Sequence, residues 1–167
     1  FLFLRSAKKI MKTETKLTSY NHTVGESNLH LQFTPKYRKR IFEDKDVLAE
    51  CERLFKEIAA ELKVQLAGMG LGPDHAHIFV MDWKNYSIAE LAQRFKGASS
   101  RAIRQKYPVR LIAKGLYGDS MWSDGYMHQT VGAVTTETMK KYVNESQQKH
   151  WQTKKPTQVQ TTLLQCS

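Results

Sequence analysis

Two histidines stand one residue apart in Pro73-Asp74-His75-Ala76-His77-Ile78-Phe79-Val80, and imidazoles at that spacing can grip a divalent metal ion. They act together only if both project from the same side of the chain. An extended strand meets that condition because successive side chains alternate: His75, His77 and Phe79 point one way, and Ala76, Ile78 and Val80 the other. One face then suits a site and the other a core. A lone His-x-His pair also fits two structural strand histidines, so its chemistry depends on what the rest of the chain brings to it.

The composition narrows the partners. Among 167 residues, 26 Lys and Arg outnumber 16 Asp and Glu, and a formal net charge of +10 favours a polyanion, nucleic acid ahead of an anionic membrane surface. No apolar run approaches bilayer length, so no membrane span is expected and the cytoplasm is the expected location. Cys51 and Cys166 make neither a disulfide framework nor a zinc framework. Gly68-Met69-Gly70 leads into a strand instead of a helix, which excludes a glycine-rich phosphate loop and an ATP site. The length suits one domain over residues 25–150, between a flexible leader at 1–24 and a flexible tail at 151–167.

The elements that must position the histidines follow from periodicity. Leu29, Leu31 and Phe33 alternate with polar neighbours as in a half-buried strand, which Pro35 ends. Val47, Cys51, Leu54, Phe55, Ile58 and Leu62 recur every three or four residues, a helix over 46–62 that Asp44 or Asp46 can cap. A second strand at 64–70 joins the histidine strand through a short loop, an antiparallel hairpin. Ser87 and Glu90 form a capping box for a helix over 87–107, with Ile88, Leu91, Phe95, Ala98, Ala102 and Ile103 as its buried stripe and Pro108 as its end. Gly97 weakens that helix by about 1 kcal/mol, which predicts close approach by another backbone or a phosphate. Asp124-Gly125 predicts a hairpin between strands at 121–123 and 126–131, and a last helix runs from Thr135 to about Gln148 with Tyr142 at the edge of its stripe. The sum is an α+β layer with helices on one side of a mostly antiparallel sheet, ferredoxin-like or RRM-like.

Several of these segments resemble the HUH-type single-tyrosine transposases of the insertion-sequence-200/605 family. The likeness lies in Phe33-Thr34-Pro35-Lys36-Tyr37-Arg38, Pro73-Asp74-His75-Ala76-His77-Ile78 and Lys96-Gly97-Ala98-Ser99-Ser100-Arg101. It continues through Trp122-Ser123-Asp124-Gly125-Tyr126 and Thr130-Val131-Gly132-Ala133-Val134 to Lys141-Tyr142-Val143, in family order over roughly residues 28 to 146. The resemblance implies a metal, magnesium or manganese, held by His75 and His77, and Tyr142 as a nucleophile that cuts and rejoins single-stranded DNA through a 5′-phosphotyrosine. It also implies a homodimer with composite sites, in which the tyrosine helix of one subunit can complete the other's histidine pair.

The chain departs from the family at the usual third ligand, a glutamine four residues after the tyrosine, where it has Ser146. Helix geometry favours Glu145, at i+3 from Tyr142, because Gln147 at i+5 is swung away. Lys36, Arg38, Arg94, Lys96, Arg101 and Arg104 are the expected basic surface, with Tyr37 able to stack on an unpaired base and hairpin ends as the expected substrate. Histidine-triad hydrolases rank low as a rival, since Phe79 holds the third histidine's place. The serious alternative is a non-catalytic nucleic-acid-binding α+β module with structural histidines.

Overall fold

The computed structural model describes residues 28–131, with the backbone of two short strands before them, β1 (Thr18–Tyr20) and β2 (Thr23–Gly25). These two pair antiparallel across the expected boundary between leader and domain at residues 24 and 25. The last helix, with Tyr142, Glu145, Ser146 and Gln147, and the tail at 151–167 lie outside the described residues.

Six further elements make the domain: β3 (Asn28–Phe33), α1 (Lys45–Glu61), β4 (Gln65–Gly72), β5 (His75–Met81), α2 (Ile88–Lys106) and β6 (Met127–Val131), with a short α3 (Pro108–Ala113) before β6. The sheet order is β4-β5-β3-β6 with every neighbour antiparallel, the ferredoxin-like arrangement expected from the order of elements. Alternation divides the sheet. Leu29, Leu31, Phe33, Ala76, Ile78 and Val80 form one buried face, against which α1 sets Val47, Cys51, Leu54, Phe55 and Ile58, and α2 sets Leu91, Ala92, Phe95 and Ile103.

The helix starts are built as their side chains dictate. Asp44 accepts from the Asp46 and Val47 amides, and Ser87 and Glu90 complete a reciprocal capping box. α2 is rotated from its expected stripe: Ala98 is exposed, while Ser99 and Ser100 are buried. Both serines have partners inside. Ser99 Oγ donates to the Phe95 carbonyl at 2.6 Å and accepts from Trp122 Nε1 at 2.9 Å, and Ser100 Oγ accepts from the Met121 amide at 2.9 Å. Pro108 ends α2 but also opens α3, where its missing N–H is no loss in the first turn.

The hairpin expected at Asp124-Gly125 does not form. Trp122 pairs with Pro35 in an isolated antiparallel bridge, and β6 pairs with β3 from Met127 onward, so residues 122–131 run along one partner as an interrupted strand. Between Gln32 and Pro35 on one side, the other side passes from Met127 to Trp122, two residues more, and that excess loops out around Asp124-Gly125. A turn dipeptide marks a bend, and here β3, already in place, takes both flanks on the same edge.

Trp122 anchors this crossing. It is 1% exposed and packs against Phe33 and Phe42 at 5.8 Å and Phe55 at 6.1 Å between ring centres. Trp122→Ala is expected to lower stability by roughly 3–5 kcal/mol in urea unfolding, through lost burial plus a cavity.

Glu50 of α1 is buried beneath Arg53 of the same helix and Lys106 of α2, and its carboxyl is pulled down to about 2 by the Arg53 hydrogen bond first and the Lys106 bond second. The folded value lies below the ordinary 4.5, so this contribution is complete above about pH 4.5 and fades as pH falls toward 2. Glu50→Gln is therefore expected to flatten the acid limb of a stability-against-pH curve and to lower stability near pH 7.

Candidate active site

The second face of the sheet is polar where a core face would be oily. The β3–β5 register sets Gln32 opposite His77 and His30 opposite Phe79, so His30 shares a face with His75 and His77 and lies diagonally beside His77. The three imidazoles are buried, His30 and His75 to 1% exposure and His77 to 6%. His75 and His77 meet edge to face with ring centres 4.9 Å apart, close enough for one ion to reach a nitrogen of each.

Each of these two rings makes a hydrogen bond through Nδ1. His75 Nδ1 lies 2.8 Å from Asp74 Oδ1. An ionised carboxylate only accepts, so His75 carries its proton on Nδ1 and the lone pair of the neutral ring is on Nε2. Burial pushes the Asp74 carboxyl up, but the hydrogen bond from His75 and the charge and hydrogen bond of Arg38 outweigh it and hold the group below its ordinary value. His77 Nδ1 lies 2.9 Å from His30 Nε2. Burial holds the His30 imidazole below its ordinary pKa, and therefore neutral at pH 7.

The edge strand makes room for these rings by presenting hydrogen atoms. Gly72, Gly70 and Gly68 of β4 stand opposite His75, His77 and Phe79. A Cβ on Gly72 would fall 2.3 Å from His75 Cε1 and 2.6 Å from its Nε2, so no larger residue fits with the ring in place. At Gly68 the nearest atom, Phe79 Cδ2, would be 3.7 Å away, an ordinary contact.

The expected nucleic-acid residues fall into two groups. Lys36, Tyr37 and Arg38 follow β3 in a single 3-10 turn, in which Tyr37 and Arg38 both hold left-handed backbone at φ 57° and 51°. Tyr37 is 82% exposed, and Arg38 reaches Asp74 at 3.1 Å, tying this turn to the carboxylate that holds His75. Arg94, Lys96, Arg101 and Arg104 lie on α2, which packs on the opposite face of the sheet. Arg94 and Arg101 are exposed along a groove with Gly97, beside which an added Cβ would meet nothing within 4 Å among the described residues. Among the described residues, therefore, no other backbone makes the close approach that was one of the two expected there, the other being a phosphate. Lys96 holds the Asp124 and Gly125 carbonyls at 2.8 and 3.2 Å, and Arg104 the Ser120 carbonyl at 3.2 Å.

His30 escaped the sequence reading, although its place in the alternation of β3 put it on the non-core face. Among the described residues no group of three or more His, Cys, Asp or Glu is disposed to hold a metal, so an ion reached by His75 and His77 would need further ligands from outside them. Gly72→Ala is expected to shift the His75 imidazole resonances strongly in NMR spectra of folded protein, while Gly68→Ala leaves them nearly unchanged.

Comparison with known proteins matches this chain to transposases. A family model described as "Transposase IS200 like" covers residues 23–146. The ISDra2 transposase TnpA of Deinococcus radiodurans is 27% identical over 126 residues, which span 75% of this chain and 88% of that protein. A crystal structure from D. radiodurans R1, of a protein assigned as a transposase, superposes with a TM-score of 0.62 at 22% identity over 77% of this chain and 97% of that one. A REP-associated tyrosine transposase, solved bound to a REP hairpin, shares the fold at a TM-score of 0.50 and 9% identity, covering 81% of this chain and 76% of that one. With about three quarters of its length matched in one run, from β2 through the histidine strand to beyond Tyr142, the chain belongs to the IS200-like transposase family.

Proposed function

We propose that this chain cuts and rejoins single-stranded DNA at the ends of a mobile element, with Tyr142 as nucleophile and a magnesium or manganese ion held by His75 and His77. The observation that carries the reading is the Nδ1 bond from His75 to Asp74, which turns an Nε2 lone pair to ligand duty in a buried pair of imidazoles. Structural histidines need no such bias of tautomer. Glu145, three residues after Tyr142, is the proposed third ligand.

Breaking a phosphodiester requires an in-line nucleophile, neutralisation of the non-bridging oxygens and a proton for the departing oxygen. A bound divalent cation supplies the neutralisation. The Tyr142 hydroxyl, with a reference pKa near 10, loses its proton as its oxygen bonds to phosphorus. The bond to the 3′ oxygen breaks, that oxygen takes up a proton, and a 5′-phosphotyrosine and a 3′ hydroxyl result. Attack by a 3′ hydroxyl from another end reverses the exchange and frees the tyrosine, so no ATP is consumed.

Hairpin ends are the proposed substrate, in line with the hairpin on which the REP-associated relative was solved. In this reading Tyr37, which is exposed, stacks on an unpaired base, and Lys36 and Arg38 meet phosphates beside it. The working unit proposed is a homodimer in which the tyrosine helix of one subunit serves the histidine pair of the other.

Tyr142→Phe is expected to retain hairpin binding and to lose the covalent protein–DNA adduct on a denaturing gel. In the same assay cleavage by the unaltered chain should require added Mg²⁺ or Mn²⁺ and disappear in His77→Ala. Metal-independent cleavage, or an adduct that survives Tyr142→Phe, overturns the reading. Hairpin binding with no cleavage under any metal would favour the non-catalytic module.

A further inference from the structure

The Nδ1 partner of His75 is a carboxylate, but that of His77 is a third imidazole, which no candidate ligand set contains. We propose that His30 is a positioning residue that accepts the Nδ1 proton of His77 and so directs the His77 Nε2 lone pair to the metal. This rests on the reading of His75 and His77 as a metal pair.

The geometry leaves two arrangements. A 2.9 Å separation between His30 Nε2 and His77 Nδ1 holds one proton, so one ring donates and the other accepts. If His30 donated, the proton of neutral His77 would sit on Nε2 and block that atom. If His77 donates, its Nε2 carries the lone pair, and it presents the same atom as His75, whose tautomer the Asp74 carboxylate dictates. Only the second arrangement makes the two rings equivalent toward one ion.

The surroundings hold His30 to that task. Its ring stacks on Phe79, with centres 4.4 Å apart at 8°, which sets its plane, while the hydrogen bond to His77, whose ring lies end to end with it at 5.1 Å and 26°, sets its rotation within that plane. At 1% exposure it is shielded from water that would compete for the bond. The register places His30 opposite Phe79 and leaves Gly68 and Gly70 on the far side of β5, so no β4 side chain intervenes. Since its Nε2 is committed to His77, His30 serves the metal through that residue and does not bind it through that atom.

The test uses ¹⁵N-histidine-labelled protein without metal, in which long-range ¹H–¹⁵N spectra report which His77 nitrogen is protonated, together with Mn²⁺ titration. The expected state of His77 is Nδ1–H. His30→Phe keeps the stacking but removes the acceptor; it should give mixed or reversed His77 tautomers and weaken Mn²⁺ binding about 10- to 100-fold. His30→Gln, whose side-chain carbonyl can accept the same proton, should restore both. An Nε2–H tautomer in the unaltered protein, or an unchanged tautomer and affinity in folded His30→Phe, overturns the role of His30. Failure of the unaltered protein to take up Mn²⁺, or uptake that survives His77→Ala, overturns the metal reading on which it rests, and the metal-free spectra separate that result from the first.

Discussion

The antiparallel pairing of β3 with β5 is the constraint on which the rest of the molecule depends. It sets hydrocarbon from both strands on one face, where α1 and α2 close over it, and by the same alternation gathers His30, His75 and His77 on the other. A slip of one residue in either strand would turn that strand over, carrying its imidazoles under the helices and its aliphatic side chains, Leu29 and Leu31 or Ile78 and Val80, to the polar face. The aliphatic core therefore enforces the site. The free energy that holds Ile78 and Val80 inside also holds the histidine side chains where they are.

The edge strand meets a different demand. Three glycines in β4 forgo the packing and strand propensity that β-branched residues would supply, and they stand opposite the three ring-bearing positions of β5. At Gly72 the reason is steric, because the His75 ring occupies the space a Cβ would need. Stability given up on the edge is thus exchanged for room beside the imidazoles, while aromatic packing around Trp122 and helix caps at Asp44 and Ser87 stabilise the body of the domain.

Polar groups link the site outward by short steps. His75 bonds Asp74, Asp74 bonds Arg38, and Arg38 lies in the left-handed turn that exposes Tyr37, so an exposed aromatic and a cation are two contacts from an imidazole. The cations of α2 have another character. Lys96 and Arg104 hold carbonyls of the 120–125 segment and Lys106 pairs with Glu50, whereas Arg94 and Arg101 face solvent along one groove. Positive charge in this fold therefore does two kinds of work, bracing backbone and facing solvent.

The sequence by itself determined whatever repeats over a few residues. Alternation of period two identified β3 and β5 and put His75 and His77 on one face, spacing of three and four identified α1 and α2, and Ser87 with Glu90 identified a helix start. Tertiary structure alone decided what meets across long stretches of chain. His30 finds His77 47 residues away, Trp122 finds Ser99 23 residues away, and Pro35 rather than a hairpin partner takes Trp122. The physical reason is that periodicity is a property of one element and its solvent boundary, whereas a hydrogen bond between elements depends on register, twist and the rotation of a helix about its axis. No local pattern specifies these, and packing of the whole core does.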